Sequence, residues 1–214
     1  MGIGQALWRR VMEHTGDRNT CLYSSAKMIT SYKEKCGFKV IPARKMVAYS
    51  GFPQIFTLNK YLTDCDIEYI SGHNIGEVIE YDEEVCGINR NRFIELSVAE
   101  PGSVALLARY ITNGHIAGYA IFKTTNFNSI MPRPLYADND YIAEALTYNC
   151  IDKFVAYDGL YWQTWDVNEE ANWLVTKLGL EKKYMSPVMF TRQDVPANNF
   201  KRIFAISPSD FYPY

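Results

Sequence analysis

Histidine is scarce in this 214-residue sequence, which holds only three: His14, His73 and His115. Chemistry that needs an imidazole base has those three places to find one. The five cysteines, Cys21, Cys36, Cys65, Cys86 and Cys150, include no C-x-x-C pair and follow no regular spacing. That excludes a disulfide framework or a zinc site, and no metal is expected. No apolar run approaches the roughly 18 residues of a membrane span. The opening MGIGQALWRRVMEH has no apolar core of signal-peptide length. It begins Met-Gly, but Ala6 stands where a myristoylation signal needs Ser or Thr. Neither sign of charge predominates: net charge is −2 and the pI is near 6.0, so no basic field draws the chain to nucleic acid or anionic membrane. Internal repeats and low-complexity linkers are also absent from the sequence pattern. A cytoplasmic, reducing setting is expected, with no cofactor, no nucleic-acid partner and no membrane.

What is present is globular: 48% hydrophobic and 21% charged residues, with 16 tyrosines that suit either a packed core or a partner-facing cleft. The length fits a single domain, 1–214. Apolar spacing predicts a helix over 20–35 closed by Gly37, a second over 41–51 started by Pro42, and a third over 53–64. IEYIS (67–71) reads as a strand. SVALLARYI, the turn TNG and HIAGYAIFK read as a β-hairpin around Asn113-Gly114. A second hairpin is expected from KFVAY, Asp158-Gly159 and LYWQTWDV. The stretch 124–152 between them reads as an insertion, residues 169–178 as a helix, and 171–214 as a C-terminal extension holding a short strand and an aromatic end, FYPY. Helices followed by a mostly antiparallel sheet define an α+β class.

The segment GDRNTCLYSSAKMI (16–29) places Cys21 at an expected helix start, after Asp17, Asn19 and Thr20, any of which could cap. A helix N-terminus lowers a thiol pKa and favours the nucleophilic thiolate. His115, directly after the Asn-Gly turn, opens a strand from which an imidazole could reach across a cleft. Asp166 ends YWQTWD and could orient that imidazole. Each residue also has a plainer reading: a buried thiol, a turn-flanking histidine, and a strand-end or helix-capping aspartate.

CLYSSA resembles the nucleophile helix of papain-like cysteine peptidases. NTC (19–21), NGHIAGYAIF (113–122), YDGLYWQTWD (157–166) and SGFPQIFTLNKYLTDCDIEYI (50–70) together resemble small phage-encoded papain-like proteins, loosely over 17–170. The resemblance implies a papain-like fold, with the Cys-bearing helix packed on an antiparallel sheet. It implies Cys21 as nucleophile, His115 as base and Asp166 as orienting carboxylate. The glutamine that family carries upstream of the cysteine is Thr15 here, with Asn19 as a substitute amide donor. About forty residues separate the His115 strand from the Asp-Gly turn, where the family has none.

The expected function is a thiol hydrolase cleaving an amide or thioester of a protein or peptide substrate. The alternative is an inert papain-like scaffold that binds a host or phage protein, in the host cytoplasm or the virion.

Overall fold

The computed structural model describes residues 2–207. Strands β1 (Cys21–Tyr23), β2 (Lys45–Gly51), β3 (Cys65–Tyr69), β4 (Val104–Tyr110), β5 (Ile116–Thr124), β6 (Ile130–Ala137), β7 (Leu160–Trp165), β8 (Glu181–Phe190) and β9 (Ile203–Ala205) form one mixed sheet. Its order is β1-β8-β2-β7-β6-β5-β4-β3, with β9 attached to β6. Helices α1 (Ile3–Thr15), α2 (Ile29–Lys35), α3 (Ile75–Cys86), α4 (Asn91–Ala99), α5 (Asp140–Ile151) and α6 (Glu169–Lys177) accompany it.

The central strands are buried on both faces, which explains their nearly unbroken apolar runs. Period-two alternation divides their side chains between two cores. Ala120, Phe122 and Leu135 join Ile142, Ala143 and Leu146 of α5 on one face. Tyr119, Ile121 and Tyr136 join Val78, Tyr81 and Val85 of α3 on the other. The result is helix, sheet, helix in three layers, not the papain-like arrangement of a cysteine-bearing helix against a sheet.

Several expected elements are corrected. Cys21 lies in a strand, paired Cys21↔Phe190, because Leu22 and Tyr23 also find partners on β8 (Met189 and Val188). The helix begins only after the Ser24-Ser25 break, as a 3₁₀ turn at Ala26–Met28 leading into α2. The run after Pro42 is β2, whose Met46, Val47, Ala48 and Tyr49 are all buried. A short apolar run of this kind has no periodicity that separates a buried strand from a helix, so tertiary pairing decides. Residues 53–64 contain only a 3₁₀ turn, Ile55–Thr57. KFVAY is not a strand: β7 pairs antiparallel with β2 instead. The 124–152 stretch forms β6 and α5 at the centre of the fold. The FYPY end lies outside the described residues.

The β4–β5 hairpin forms as its Asn-Gly turn predicts, with Gly114 at φ +72.

The backbone carries a repeat that the residue pattern hides. The order helix, strand, helix, positive-φ glycine, strand occurs as α1, β1, α2, Gly37, β2 and again as α5, β7, α6, Gly179, β8. Each copy lends its last strand to the other: β1 pairs β8, β7 pairs β2, and β2 pairs β8. Shifting by the spacing between the two glycines carries Cys21 to Gln163 and Phe190 to Ala48. Cys21↔Phe190 and Ala48↔Gln163 are both pairs of the sheet. The repeated feature is strand exchange and register, which a sequence periodicity search does not see.

Candidate functional site

The sheet parts in its middle. Strands β6 and β7 are parallel and share one pair, Ile130↔Leu160, at their beginnings. Beyond it they separate, and β9 enters the gap. Leu135↔Ala205 and Tyr136↔Ile203 bind β9 antiparallel to β6. On the β7 side, the Ile206 amide donates to the Gln163 carbonyl at 2.9 Å. The Trp162 indole Nε1–H donates to the Phe204 carbonyl at 2.8 Å. Ile203, Phe204, Ala205 and Ile206 are fully buried.

Both ends of this short strand are tied down. Before it, Arg202 forms an ion pair with Asp138 at 2.6 Å and another with Glu84 at 2.5 Å. After it, Ser207 Oγ accepts from Arg90 Nη1 at 2.9 Å. Arg90 is itself paired with buried Asp82, and its Nη2 donates to the Tyr136 hydroxyl at 3.1 Å. Tyr119 also donates to the Asp82 carboxylate, as does the Cys86 thiol at 3.5 Å, so that group is shared by three donors.

Asp138 stands where β6 passes into α5. Its two oxygens accept from the hydroxyls of Tyr81 at 3.0 Å and Tyr110 at 3.1 Å. Burial first, then the adjacent Asp138 charge, holds the Tyr81 hydroxyl well above the usual phenol range, so it remains a donor at neutral pH. Asn139 caps α5 by accepting from the Ile142 amide at 2.9 Å.

A groove opens on the α4 face beside the parting strands. Two cavities of about 630 and 730 Å³ share Glu100, Pro101, Lys123 and Arg133 in their walls. Phe93, Leu96 and Ile121 give one cavity an apolar wall, and Tyr161 borders the other. Arg92, Lys123 and Arg133 outnumber the one lining carboxylate, Glu100, which pairs with Lys123. Arg133 lies on β6 two residues before the first β9 pair. Tyr161 lies on β7 just before Trp162, accepts from Gln163 Nε2 at 2.9 Å and shares a 2.6 Å hydrogen bond with Tyr184. The groove therefore borders the point where β6 and β7 separate.

The residues expected to form a catalytic triad are not brought together. Cys21 is on β1, and strands β8, β2, β7 and β6 lie between it and β5, which His115 precedes. With neighbouring strands about 4.8 Å apart, that places them several strand widths from each other. Removed from any helix start, the Cys21 thiol is pushed up by burial to about 12, the opposite of thiolate activation. His115 is exposed, and its backbone amide donates to Asn113 Oδ1 at 2.9 Å, closing the turn. Asp166 pins β7 to β2, accepting from the Lys45 amide at 2.8 Å and donating its own amide to the Lys45 carbonyl at 2.9 Å. The Asn19 side chain bridges to the backbone of Arg192 and Gln193. Each residue has a local structural task. Among the described residues no cluster suited to a metal ion occurs, and no helix is long and apolar enough to cross a membrane.

The groove and the parted strands had no signal in the residue pattern. Their main feature is a backbone separation, and the nearest sequence trace is the cationic pair of Lys123 on β5 and Arg133 within a Pro-rich β6.

Comparison with known proteins agrees with this geometry. Residues 78–205 match the model of a family described as an acetyltransferase (GNAT) domain. Among solved structures, a protein from Pyrococcus horikoshii taken to be an acetyltransferase superposes with TM-score 0.69 at 19% identity, covering 97% of this chain and 66% of that one. The chain thus spans slightly less than two thirds of that neighbour's length. A GCN5-related N-acetyltransferase from Sphaerobacter thermophilus gives 0.59 at 14% identity, over 98% of this chain and 71% of that one. A tandem GNAT protein from the clavulanic acid biosynthesis pathway gives 0.60 at 13%, over 88% and 69%. Identities this low speak for the fold alone. No curated protein matches. The family match replaces the papain-like resemblance, and with it the thiol-hydrolase reading, the inert papain-like alternative and the phage setting they implied.

Proposed function

This chain belongs to the GNAT acetyltransferase family, and from that premise we propose that it is an acyl-transfer module whose acceptor lies in the groove beside Lys123, Arg133 and Tyr161. The observation that carries the reading is the parting of two parallel strands that begins beside that groove. The groove lies at the amino ends of β6 and β7, beside their one shared pair, and the strands diverge from there toward their carboxyl ends, the end at which ligands of such sheets bind.

The lining selects the acceptor's character. Arg92, Lys123 and Arg133 exceed the single lining carboxylate, Glu100, which pairs with Lys123, so a carboxylate on the acceptor suits the groove better than a bare ammonium group, with Arg133 as the residue to hold it. The Phe93–Leu96–Ile121 wall suits an apolar body. The acceptor class is therefore an amine that also carries a carboxylate and an apolar portion, as in an amino acid or a short peptide.

The donor implied by the family is an acyl-coenzyme A. Its extended arm bears amides that could pair with a strand edge, and its pyrophosphate calls for a helix N-terminus without competing anions. With β9 in the sheet, these residues do not fit it. The β6 edge is already paired, and Asp138 and Asp140 stand at the start of α5. No donor step is drawn through that arrangement.

The test is acetylation of a panel of matched amines with and without a carboxylate, read by mass spectrometry of the acceptor. Arg133→Ala is expected to raise KM for the carboxylate-bearing amines by about tenfold or more, the worth of one charge-assisted contact, and to leave the others unchanged. Equal use of both amine classes, or no KM effect, would remove the groove from the acceptor's path.

A further inference from the structure

We propose that β9 and the arm of an acyl-coenzyme A donor compete for the same edge of β6, so that the donor binds only when the chain's own C-terminal strand leaves the sheet. This inference rests on the acyl-transfer reading and adds its regulation.

The backbone supports it first. Strand β5 holds one edge of β6 through Tyr119↔Tyr136 and Ala120↔Leu135. The opposite edge of the same two residues is paired with Ile203 and Ala205. An extended amide-bearing ligand entering between β6 and β7 would need those same carbonyls and amides. Each backbone group serves one strand at a time, so occupancy is exclusive.

Electrostatics links the same segment to the second half of the donor site. Arg202, one residue before β9, holds Asp138 at the start of α5. The segment that fills the arm's place thus also neutralises the carboxylate that stands where a pyrophosphate would approach. Undocking β9 would withdraw Arg202 and leave Asp138, close to Asp140, without that cation, so the open form frees the arm's place and not the pyrophosphate's.

The competition is strongly biased toward the closed form. Ile203, Phe204 and Ile206 are fully buried, and burial of a side chain of that size is worth roughly 10- to 100-fold in equilibrium. The apparent donor affinity is reduced by the fraction of open molecules. The backbone and side-chain freedom regained on undocking offsets part of that bias.

Two variants loosen the strand without touching the groove's lining. Trp162→Phe removes the indole N–H that donates to the Phe204 carbonyl, and Phe204→Ala removes the largest side chain of the strand. Acetyl-coenzyme A is titrated calorimetrically into the intact chain and both variants, with hydrogen exchange followed at the amides of 203–206. Cooperative thermal melts identify folded variants, and the conservative Trp162→Phe protects the experiment against a collapse of Phe204→Ala.

The intact chain is expected to bind at best weakly, each folded variant at least about tenfold more tightly, with donor addition accelerating exchange at 203–206. Tight binding to the intact chain with those amides still protected would overturn the competition. So would an unchanged or undetectable affinity in the folded variants. These readouts need no turnover: competition without acylation of any amine would sink the acyl-transfer reading and leave the strand's exclusion of the donor standing.

Discussion

Asp82→Ala is expected to cost the fold about 3–5 kcal/mol, because it leaves the buried Arg90 guanidinium without its counter-ion. Arg90 and Asp82 side chains are only 7% and 1% exposed. The same substitution deprives the Tyr119 hydroxyl of its acceptor in the fully buried core. Two buried donors are therefore left short at once. Urea unfolding should show a lower midpoint with an unchanged slope, the sign of lost stability without a changed unfolded state. The double variant Asp82→Leu/Arg90→Met should recover much of the loss, since it removes both charges together. A cost below about 1 kcal/mol for Asp82→Ala, in the range of a surface ion pair, would mean that the pair is solvated in solution.

The second large effect is expected at Gly118, in the middle of β5. An added Cβ would sit 2.7 Å from the Tyr136 carbonyl oxygen and 2.9 Å from the Ala137 Cα. Both are backbone atoms of the paired strand, so no side-chain rotation relieves the clash. Gly118→Ala must push β6 away from β5, for about 2 kcal/mol as a typical overpacking cost. In a chain of this size that lowers Tm by roughly 4–8 °C. Gly76 in α3 is the matched control, as nothing lies within 4 Å of its added Cβ. Gly76→Ala should hold or raise Tm, since alanine favours the helix by about 0.5–1 kcal/mol. If the two variants melted together, close packing of β5 on β6 would not be what selects glycine at 118.

What the sequence made legible was local. The β4–β5 hairpin followed from Asn113-Gly114, whose backbone really adopts the positive φ at Gly114. The helix near 169–178 was legible, but its cap is Asn168, which accepts from the Ala171 amide at 3.0 Å, and not Asp166. The short strand in the tail was readable as an apolar run, but its destination between β6 and β7 was not. Strands β1 and β2 escaped because their partners lie far along the chain, on β8 and β7. For a strand buried on both faces, pairing of that kind outweighs local propensity and carries no alternation to read.

The candidate site was misread for a related reason. Cys21, His115 and Asp166 stood in a meaningful order along the chain, yet the strand exchange sends Cys21 to the outer edge of the sheet. The Thr164-Trp165-Asp166 run is explained by burial of its first two residues and by the double hydrogen bond of Asp166 with Lys45. The actual cleft depends on two parallel strands ceasing to pair after Ile130↔Leu160. Lost pairing is a property of the backbone in three dimensions, and no residue type announces it.

Acetyl transfer by the β9-loosened chain, compared between Cys21 and Cys21→Ala forms, tests the central claim most directly. The Trp162→Phe protein is mixed with acetyl-coenzyme A and a carboxylate-bearing amine, and the acylated amine is measured by mass spectrometry. The account predicts acylated amine at equal rates in both forms, with KM for the amine raised about tenfold or more when Arg133 is replaced by alanine. Donor cleavage that vanishes with Cys21→Ala and leaves the amine unmodified would contradict it.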